Sequence, residues 1–255
     1  MNMKTLEEHV TIITGGGKGI GYGLAEAFAE AGSNLVITGR TLSRLEEAKA
    51  KLEAKYGVSV LPIVADGADE AAIKNVVAQT ITTFGKINTL INNAQVSKSG
   101  LPLVEHTKED FDLAINSGLY AAFFYMRECH PYLKESHGSV INFASGAGLF
   151  GKLGQSSYAA AKEGIRGMSR VAAAEWGPDG IRVNVVCPLA MTESLQQWKE
   201  NFPELFEKTI QGIPLGHFAD PKEDIGRVCV FLASDAAQYV TGETITLQGG
   251  SGLRP

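Results

Sequence analysis

A glycine-rich turn between a short apolar run and a helical run constrains the fold of this chain more than any other feature. The apolar run is Val10–Thr14, the turn reads TGGGKGIG at positions 14–21, and the helical run covers positions 24–31. Such an apolar run is typical of a buried parallel strand. Glycines let the backbone turn tightly and approach a pyrophosphate at the helix N-terminus. The pattern predicts a dinucleotide site lined by Gly15, Gly17, Lys18, Gly19, Ile20 and Gly21.

The segments after the glycine turn alternate between strand and helix, which distinguishes a nucleotide site from a plain turn. Apolar runs predict strands at positions 10–14, 34–38, 58–65, 89–92, 139–143, 181–187 and 243–247. The alternation predicts right-handed crossovers and a parallel sheet with its ligand at the carboxyl ends of the strands. We therefore expect an α/β fold, and with no linker-like change of composition we expect one domain over residues 1–255.

Charge and cysteine usage exclude several classes of function. The chain has a net charge of −5, so it offers no basic surface for nucleic acid or an anionic membrane. We see neither a secretory leader nor an apolar run of membrane-spanning length. Cys129, Cys187 and Cys229 are far apart and lack metal-ligand spacing. We expect reduced thiols, no metal site and a cytoplasmic protein.

The end of the second predicted strand indicates which dinucleotide binds. An acidic residue there would bind the ribose 2′-hydroxyl, whereas an arginine suits a 2′-phosphate. The chain has Arg40 and no carboxylate at Thr38 or Gly39, and Lys18 could reach the same phosphate. One charge-assisted hydrogen bond contributes roughly 1.5–3 kcal/mol, a preference on the order of ten- to a hundred-fold. We therefore predict NADP(H) over NAD(H); the alternative is that Arg40 is a solvated loop cation.

Other candidate residues follow the remaining strands. Asp66 could accept a hydrogen bond from an adenine amino group, cap the next helix, or do both. Asn92 and Ala94 follow the fourth strand, and Ser145 follows the fifth. Because the carboxyl ends of parallel strands share one edge, we expect these residues near the same ligand.

Asn116 lies inside a long predicted helix over residues 109–134 that is apolar nearly all round. A helix of this kind is expected to be buried on every side. Asparagine is a poor helix residue, so it has either a buried hydrogen bond or a functional role here. Together with the small residues along positions 156–176, this helix predicts a homo-oligomer.

Tyr158 and Lys162 are four residues apart in a predicted helix, so they lie on one face, one turn apart. A free tyrosine has a pKa of about 10, and a nearby cation favours the phenolate and lowers that pKa. The pair could then exchange a proton with a substrate oxygen near neutral pH. The spacing alone is weak evidence, because such pairs also occur by chance on helix surfaces.

The segment after Pro188 interrupts the strand–helix alternation. Positions 192–211 are rich in charged and aromatic residues, and we expect positions 189–218 to form a lid over a substrate pocket. A plain amphipathic surface helix is the alternative interpretation.

Five motifs in chain order resemble the short-chain dehydrogenase/reductase family: TGGGKGIG, Asn92-Asn93-Ala94, Asn116, Ser145 and Tyr158-x-x-x-Lys162. The resemblance covers essentially the whole chain. It implies a single-domain, Rossmann-like, doubly wound parallel sheet of about seven strands flanked by helices, usually in a homotetramer. It also implies hydride transfer between a nicotinamide and a carbonyl or alcohol, with NADP preference associated with Lys18 and Arg40.

The resemblance also implies catalytic roles by position. Tyr158 would be the general acid in reduction, and Lys162 would hold the nicotinamide ribose and lower the pKa of Tyr158. Ser145 would bind the substrate oxygen, and Asn116 would hold a water of the proton relay. Asn92 would pack against the cofactor.

Three positions depart from the family pattern. Gln95 replaces the glycine of Asn-Asn-Ala-Gly, Leu189 replaces the glycine after Pro188, and Gln248 replaces an aspartate in the closing motif. The threonine after the sixth strand, Thr192, arrives one residue early. These changes affect loop geometry, while Pro188 and Thr192 remain expected cofactor contacts.

Three functions stay open at this point. The leading one is NADPH-dependent reduction of a small-molecule ketone to a secondary alcohol. A 3-oxoacyl-[acyl-carrier-protein] reductase is the second, although arginines of that subgroup correspond to Ala174 and His130 here. The third is a dinucleotide-binding protein without turnover, since a fold alone does not imply catalysis.

Overall fold

A computed structural model describes residues 5–252 of the chain. Within that range, seven parallel strands form one sheet in the order β3-β2-β1-β4-β5-β6-β7. Every predicted strand is present, and its ends differ from those expected by at most two residues. The strands are Val10–Thr14 (β1), Asn34–Gly39 (β2), Val60–Val64 (β3), Thr89–Asn92 (β4), Ser139–Phe143 (β5), Arg182–Pro188 (β6) and Thr244–Leu247 (β7).

Helices cover both faces of this sheet, as the alternating pattern predicts for a parallel sheet. They are Gly19–Glu30 (α1), Leu42–Tyr56 (α2), Glu70–Phe84 (α3), Lys108–Ala114 (α4), Ala121–Ser136 (α5), Gly146–Phe150 (α6), Ser156–Trp176 (α7), Glu193–Asn201 (α8), Pro203–Gln211 (α9) and Arg227–Ala233 (α10). Two π-helical turns, at Ile115–Tyr120 and Pro221–Gly226, and short 3₁₀ segments, at Leu103–Glu105, Gly177–Asp179 and Asp235–Ala237, complete the described elements.

The core consists of two apolar layers separated by the sheet. Successive strand residues point to opposite faces, so neighbours such as Ile12 and Ile13 belong to different layers. One layer packs α1 and α10 against the sheet through Leu24, Phe28, Cys229 and Leu232. The other packs α3 and α5 through Ile73, Val76, Tyr125 and Leu133. Burial of each large side chain stabilises the fold by about 1.5–3 kcal/mol. The two layers therefore hold the strands, and the residues at their carboxyl ends, in fixed positions.

The strand order reverses between β1 and β4, and side-chain hydrogen bonds close that junction. The Thr14 hydroxyl accepts hydrogen bonds from the backbone N–H groups of Asn93 at 2.9 Å and Ala94 at 3.0 Å. The Asn93 amide donates to the Thr14 carbonyl at 2.9 Å. In sheets of this type, ligands bind at the reversal point, outside the carboxyl ends of the strands.

The long helix predicted over residues 109–134 is in fact two helices, α4 and α5, joined by the π turn Ile115–Tyr120. Asn116 and Gly118 are weak helix formers and lie in this turn, where the regular hydrogen-bond pattern is interrupted. The expectation that this helix is buried on every side is wrong for the single chain. Tyr120 and Phe123 are exposed, because the face they occupy points away from the sheet.

The segment after β6 forms a small apolar unit of its own. Phe206, Ile213 and Phe218 are buried there, and Leu189, Leu195 and Trp198 pack against them. Helices α8 and α9 meet at Phe202, where Pro203 opens the second helix. This unit borders the carboxyl edge of the sheet through Thr192, the N-cap of α8.

Two observations on the described residues bear on the expected classes. No helix within residues 5–252 is long and apolar enough to cross a membrane. Cys129, Cys187 and Cys229 are buried and form no disulfide with one another, and in the same range no cluster of His, Cys, Asp or Glu side chains is arranged to hold a metal ion.

Candidate active site

A cavity of about 640 Å³ opens at the strand-order reversal. Its wall contains nearly all the residues predicted to bind the dinucleotide. These are Gly15, Gly17, Lys18, Gly19, Ile20, Gly21, Arg40, Asp66, Asn92, Ala94, Lys162 and Thr192, together with Asn116. We refer to it as the dinucleotide cavity.

The glycine turn packs too tightly for side chains at two of its positions. A Cβ on Gly21 would lie 2.1 Å from the carbonyl oxygen of Gly15, and Gly15 itself has a φ of +72°. At Gly19 a Cβ would meet nothing within 4 Å, but the φ of +54° at this position still favours glycine. Helix α1 begins here without a side-chain cap or an acidic residue in its first turn. Its free N–H groups therefore suit a pyrophosphate, and the residues present fit a dinucleotide.

Three cations surround the end of β2. Lys18 and Arg40 line the cavity as expected, and Arg44, in the first turn of α2, joins them. The sequence reasoning missed Arg44, although its position four residues after Arg40 was a usable signal. Three positively charged side chains therefore line the part of the cavity next to the end of β2.

Asp66 lines the cavity but does not cap α3. Its carboxylate accepts a hydrogen bond from the N–H of Ala68 at 3.0 Å, which closes a turn. The capping role belongs to Asp69, whose carboxylate accepts from Ala71 at 2.9 Å and from Ala72 at 3.3 Å. The expectation that Asp66 caps the helix is therefore wrong, and its role toward an adenine stays a prediction.

A second cavity of about 530 Å³ lies beyond Tyr158. Ser145, Tyr158, Leu189 and Gln248 line it, and so does Pro188, which was expected on the cofactor side. We refer to it as the substrate cavity. Tyr158 faces this cavity and Lys162 faces the other, so the pair stands where the two meet.

Tyr158 and Lys162 are neighbours on α7, as the helical spacing predicts. The Lys162 Nζ lies 5.5 Å from the centroid of the Tyr158 ring. Lys162 is almost fully buried, and its Nζ donates a hydrogen bond to the carbonyl of Phe143 at 2.7 Å. That bond fixes the amine at the carboxyl end of β5, directly before the segment that carries Ser145.

The pKa values of this pair differ from the sequence expectation. Burial raises the pKa of Tyr158 above its ordinary value, and the hydrogen bond with Ser145 opposes this rise only in part. Burial also lowers the pKa of Lys162 to about 7. The predicted lowering of the Tyr158 pKa by a cation is therefore wrong for the protein alone, because desolvation acts on both groups. A protonated phenol at neutral pH can donate a proton.

Ser145 is held by the helix it caps. Its Oγ accepts a hydrogen bond from the N–H of Ala147 at 3.1 Å, which leaves the hydroxyl hydrogen free to donate elsewhere. Because Ser145 also interacts with Tyr158, the two hydroxyls form one polar group on the wall of the substrate cavity. A carbonyl oxygen between them could accept from both.

Asn92 and Asn116 hold different positions around the dinucleotide cavity. The Asn92 amide donates to the side-chain oxygen of Asn142 at 2.8 Å, while its own Oδ1 is buried without a hydrogen-bond partner in the described chain. Asn116 is exposed in the cavity wall, on the π turn. The structure brings both to the same cavity as Lys162.

The two unusual glutamines lie at separate points of the site. Gln95 lines the dinucleotide cavity, and its Nε2 donates to the carbonyl of Ala114 at 3.3 Å, just before the π turn. Gln248 lines the substrate cavity. Gln155 and Lys152 also line the substrate cavity, and neither carried a signal in the sequence that would have singled it out.

The fold and the two cavities define a Rossmann-like oxidoreductase, and comparison with known proteins identifies the family. A family model described as enoyl-(acyl carrier protein) reductase matches residues 15–251. The chain belongs to the short-chain dehydrogenase/reductase family, whose members bind a nicotinamide dinucleotide, and is an oxidoreductase of CH–OH and C=O groups.

Among similar proteins, a 12α-hydroxysteroid dehydrogenase from Clostridium sp. is 59% identical, over 99% of this chain and 100% of that protein. A 3-oxoacyl-[acyl-carrier-protein] reductase from Thermotoga maritima is 36% identical, over 96% of this chain and 98% of its own length. Among solved structures, levodione reductase has a TM-score of 0.90 with 32% identity, covering 97% of this chain and 98% of its own. NAD⁺-bound xylitol dehydrogenase also has a TM-score of 0.90, with 26% identity, covering 97% of this chain and 100% of its own.

Proposed function

We propose that the protein is an NADP(H)-dependent hydroxysteroid dehydrogenase that interconverts a 12-oxo group and a secondary alcohol on a steroid. The observation that carries this proposal is the 59% identity with the clostridial 12α-hydroxysteroid dehydrogenase over the full length of both chains. The acyl-carrier-protein reductase is a more distant relative at 36% identity.

The surroundings of the substrate cavity support a large apolar substrate. Phe150 and Leu189 line the cavity, and Leu153, next in the chain to the cavity residue Lys152, is exposed. The loops of residues 97–102 and 151–155 are joined by a hydrogen bond from the Gly100 N–H to the Gly154 carbonyl at 2.8 Å. Exposed apolar residues gathered around a groove are typical of a binding site for an apolar ligand.

The chemistry of reduction follows from the same residues. The bound nicotinamide would supply the hydride. Ser145 would donate a hydrogen bond to the substrate oxygen, and Tyr158 would deliver the proton to it as that oxygen gains charge. Lys162, with a pKa near 7, could return a proton toward Tyr158, and Asn116 would hold the water that connects them to solvent.

NADP(H) is proposed over NAD(H) from the three cations at the end of β2. Replacing Arg40 or Arg44 by alanine should weaken NADPH binding roughly ten- to a hundred-fold and leave NADH binding nearly unchanged. Fluorescence titration with both cofactors measures this, with Lys49→Ala on α2 as a control outside the cavity. Equal losses for NADPH and NADH would remove both arginines from phosphate recognition.

The substrate proposal is tested by a panel of steroids that differ only in the position of the oxo group, with NADPH consumption followed at 3-, 7- and 12-oxo compounds. We expect the highest kcat/KM for the 12-oxo compound. Turnover of a 3-oxoacyl thioester in place of all three steroids would support the acyl-reductase alternative instead. Binding of NADPH without turnover of any compound would leave a non-catalytic dinucleotide-binding protein.

The lid, assembly and location also belong to this proposal. Thr192 and Glu193 line the dinucleotide cavity while Leu189 lines the substrate cavity, so movement of positions 189–218 would close both. Exposed Phe123 on α5 and Val171 on α7 suit contacts within a homotetramer. We propose the cytoplasm as its location because the three cysteines form no disulfide with one another. A monomer in light scattering would contradict the assembly.

A further inference from the structure

Gln248 carries a side-chain amide in the wall of the substrate cavity. It directly follows β7, is 9% exposed, and lines the cavity together with Ser145 and Tyr158. The backbone carbonyl of Gln248 accepts hydrogen bonds from Ser251, but the side-chain amide forms none with any residue between positions 5 and 252. This side chain is therefore both nearly buried and unpartnered beside the proposed reacting groups.

Two glycines confine the amide from opposite sides. A Cβ on Gly146 would lie 2.5 Å from the Gln248 Nε2, and a Cβ on Gly252 would lie 2.1 Å from its Oε1. The glycines leave the space that the amide occupies, and Gly146 is the residue after Ser145. The amide is thus held against the segment that positions the catalytic serine, with limited freedom to turn away from the cavity.

Covering this amide with a ligand that offers it no hydrogen bond is unfavourable. The amide reaches the cavity, so a ligand that fills the cavity removes its water and must replace that water with a hydrogen bond. The cavity wall also contains polar residues, Ser97, Ser99 and Gln155 among them, but no described side chain forms a hydrogen bond with the Gln248 amide. A polar group of a bound ligand can, and a site that depends on that bond discriminates against ligands lacking it.

We propose that Gln248 determines substrate specificity by hydrogen bonding to a second polar substituent of the steroid, separate from the oxygen that reacts at Tyr158. A hydroxyl is the group that fits, because an amide offers both a donor and an acceptor and a hydroxyl uses both. The aspartate of the family pattern at this position would offer acceptors alone when ionised. This inference rests on the proposed hydroxysteroid dehydrogenase function.

The test compares two 12-oxosteroids, one with a further ring hydroxyl and one without. In Gln248→Met, which keeps the length of the side chain and removes the amide, kcat/KM for the hydroxylated steroid should fall roughly 5- to 100-fold, mainly through KM. The value for the steroid without the hydroxyl should stay unchanged. Gln238→Met, at an exposed position outside both cavities, is the matched control.

A second variant and a binding measurement separate recognition from misfolding. Gln248→Glu keeps an acceptor and loses the donor, so its loss on the hydroxylated steroid should be selective in the same way. NADPH affinity by fluorescence titration should be unchanged in both variants, because Gln248 does not line the dinucleotide cavity.

Each other outcome overturns the inference. Equal losses on both steroids would mean that Gln248 acts on the position of Ser145 and not on the substrate. Unchanged kinetics on both would mean that the amide contacts neither. Failure of the wild-type protein to reduce any steroid, with turnover of a simple ketone, would overturn the proposed function itself and this inference with it.

Discussion

Tyr158 and Lys162 show what helix periodicity reveals and what it leaves out. Their spacing of four residues predicts adjacency, and the structure confirms it with 5.5 Å between the Lys162 Nζ and the Tyr158 ring centroid. The sign of the Tyr158 pKa shift was wrong, since it depends on burial. Burial is a property of the packed chain, and no local pattern contains it.

Lys162 gives a prediction about stability and pH. Its pKa is about 7 in the folded chain against an ordinary 10.5, so between these values the unfolded chain binds more protons than the folded one. Stability therefore rises with pH across that window. Lys162→Met removes the titration. From about pH 7.5 to 9.5, the free energy of unfolding of the wild type should gain up to about 1.4 kcal/mol per pH unit relative to the variant.

Denaturant unfolding at several pH values, without cofactor, measures this difference. Parallel profiles for wild type and Lys162→Met would show that the amine keeps its ordinary pKa in the folded chain. The proposed proton transfer would then have to start from a charged Lys162 in the protein without cofactor.

At the scale of elements, the sequence predicted every strand, but it predicted the helix over residues 109–134 incorrectly. The strands were visible because short apolar runs ending in glycine, asparagine or proline leave little choice of structure. The π turn at Ile115–Tyr120 was missed because it depends on a partner distant in sequence. Ser117 accepts a hydrogen bond from the Val96 N–H at 3.1 Å and donates to the Val96 carbonyl at 2.8 Å, which docks the loop after β4 onto the turn.

Gln95 and Gly118 form a second contact between the loop after β4 and the π turn, and the two positions can be tested together. A Cβ on Gly118 would lie 2.6 Å from the Gln95 Cδ, so Gly118→Ala should displace this side chain and its bond to Ala114. We expect a loss of about 1–2 kcal/mol in the free energy of unfolding. In a Gln95→Gly background the space is free, and the same change should stabilise by about 0.5–1 kcal/mol, as alanine usually does within helices.

The decisive result of this double-mutant cycle is that the effect of Gly118→Ala on the free energy of unfolding changes sign when the Gln95 side chain is removed. If Gly118→Ala has the same effect with and without the Gln95 side chain, the two positions are not coupled. The departure at Gln95 would then be an isolated loop change and not a support for the turn that carries Asn116.

At the scale of the whole molecule, the sheet topology brings together groups that the sequence separates widely. The glycine turn, Asn92, Asn116 and Lys162 line one cavity because β1 and β4 lie side by side at the centre of the sheet. The strand ends predicted this meeting for the glycine turn and Asn92, and the family resemblance implied it for Asn116 and Lys162. The division into two cavities and the position of the Gln248 amide depend on tertiary packing and were not predicted, whereas Arg44 was missed although its spacing from Arg40 was visible.

In the proposed reaction a hydride passes from NADPH to a steroid ketone while Tyr158 protonates the ketone oxygen. Transfer of an isotope from the cofactor tests this most directly. With NADPH deuterated at C4 on the transferred face and a 12-oxosteroid, mass spectrometry should find one deuterium on the carbinol carbon of the product. Tyr158→Phe should form that product roughly 10²–10⁴ times more slowly while binding NADPH as tightly. The proposed reaction would be contradicted by three results. These are the absence of product, unlabelled product with NADPH deuterated on either face of C4, and an undiminished rate in Tyr158→Phe.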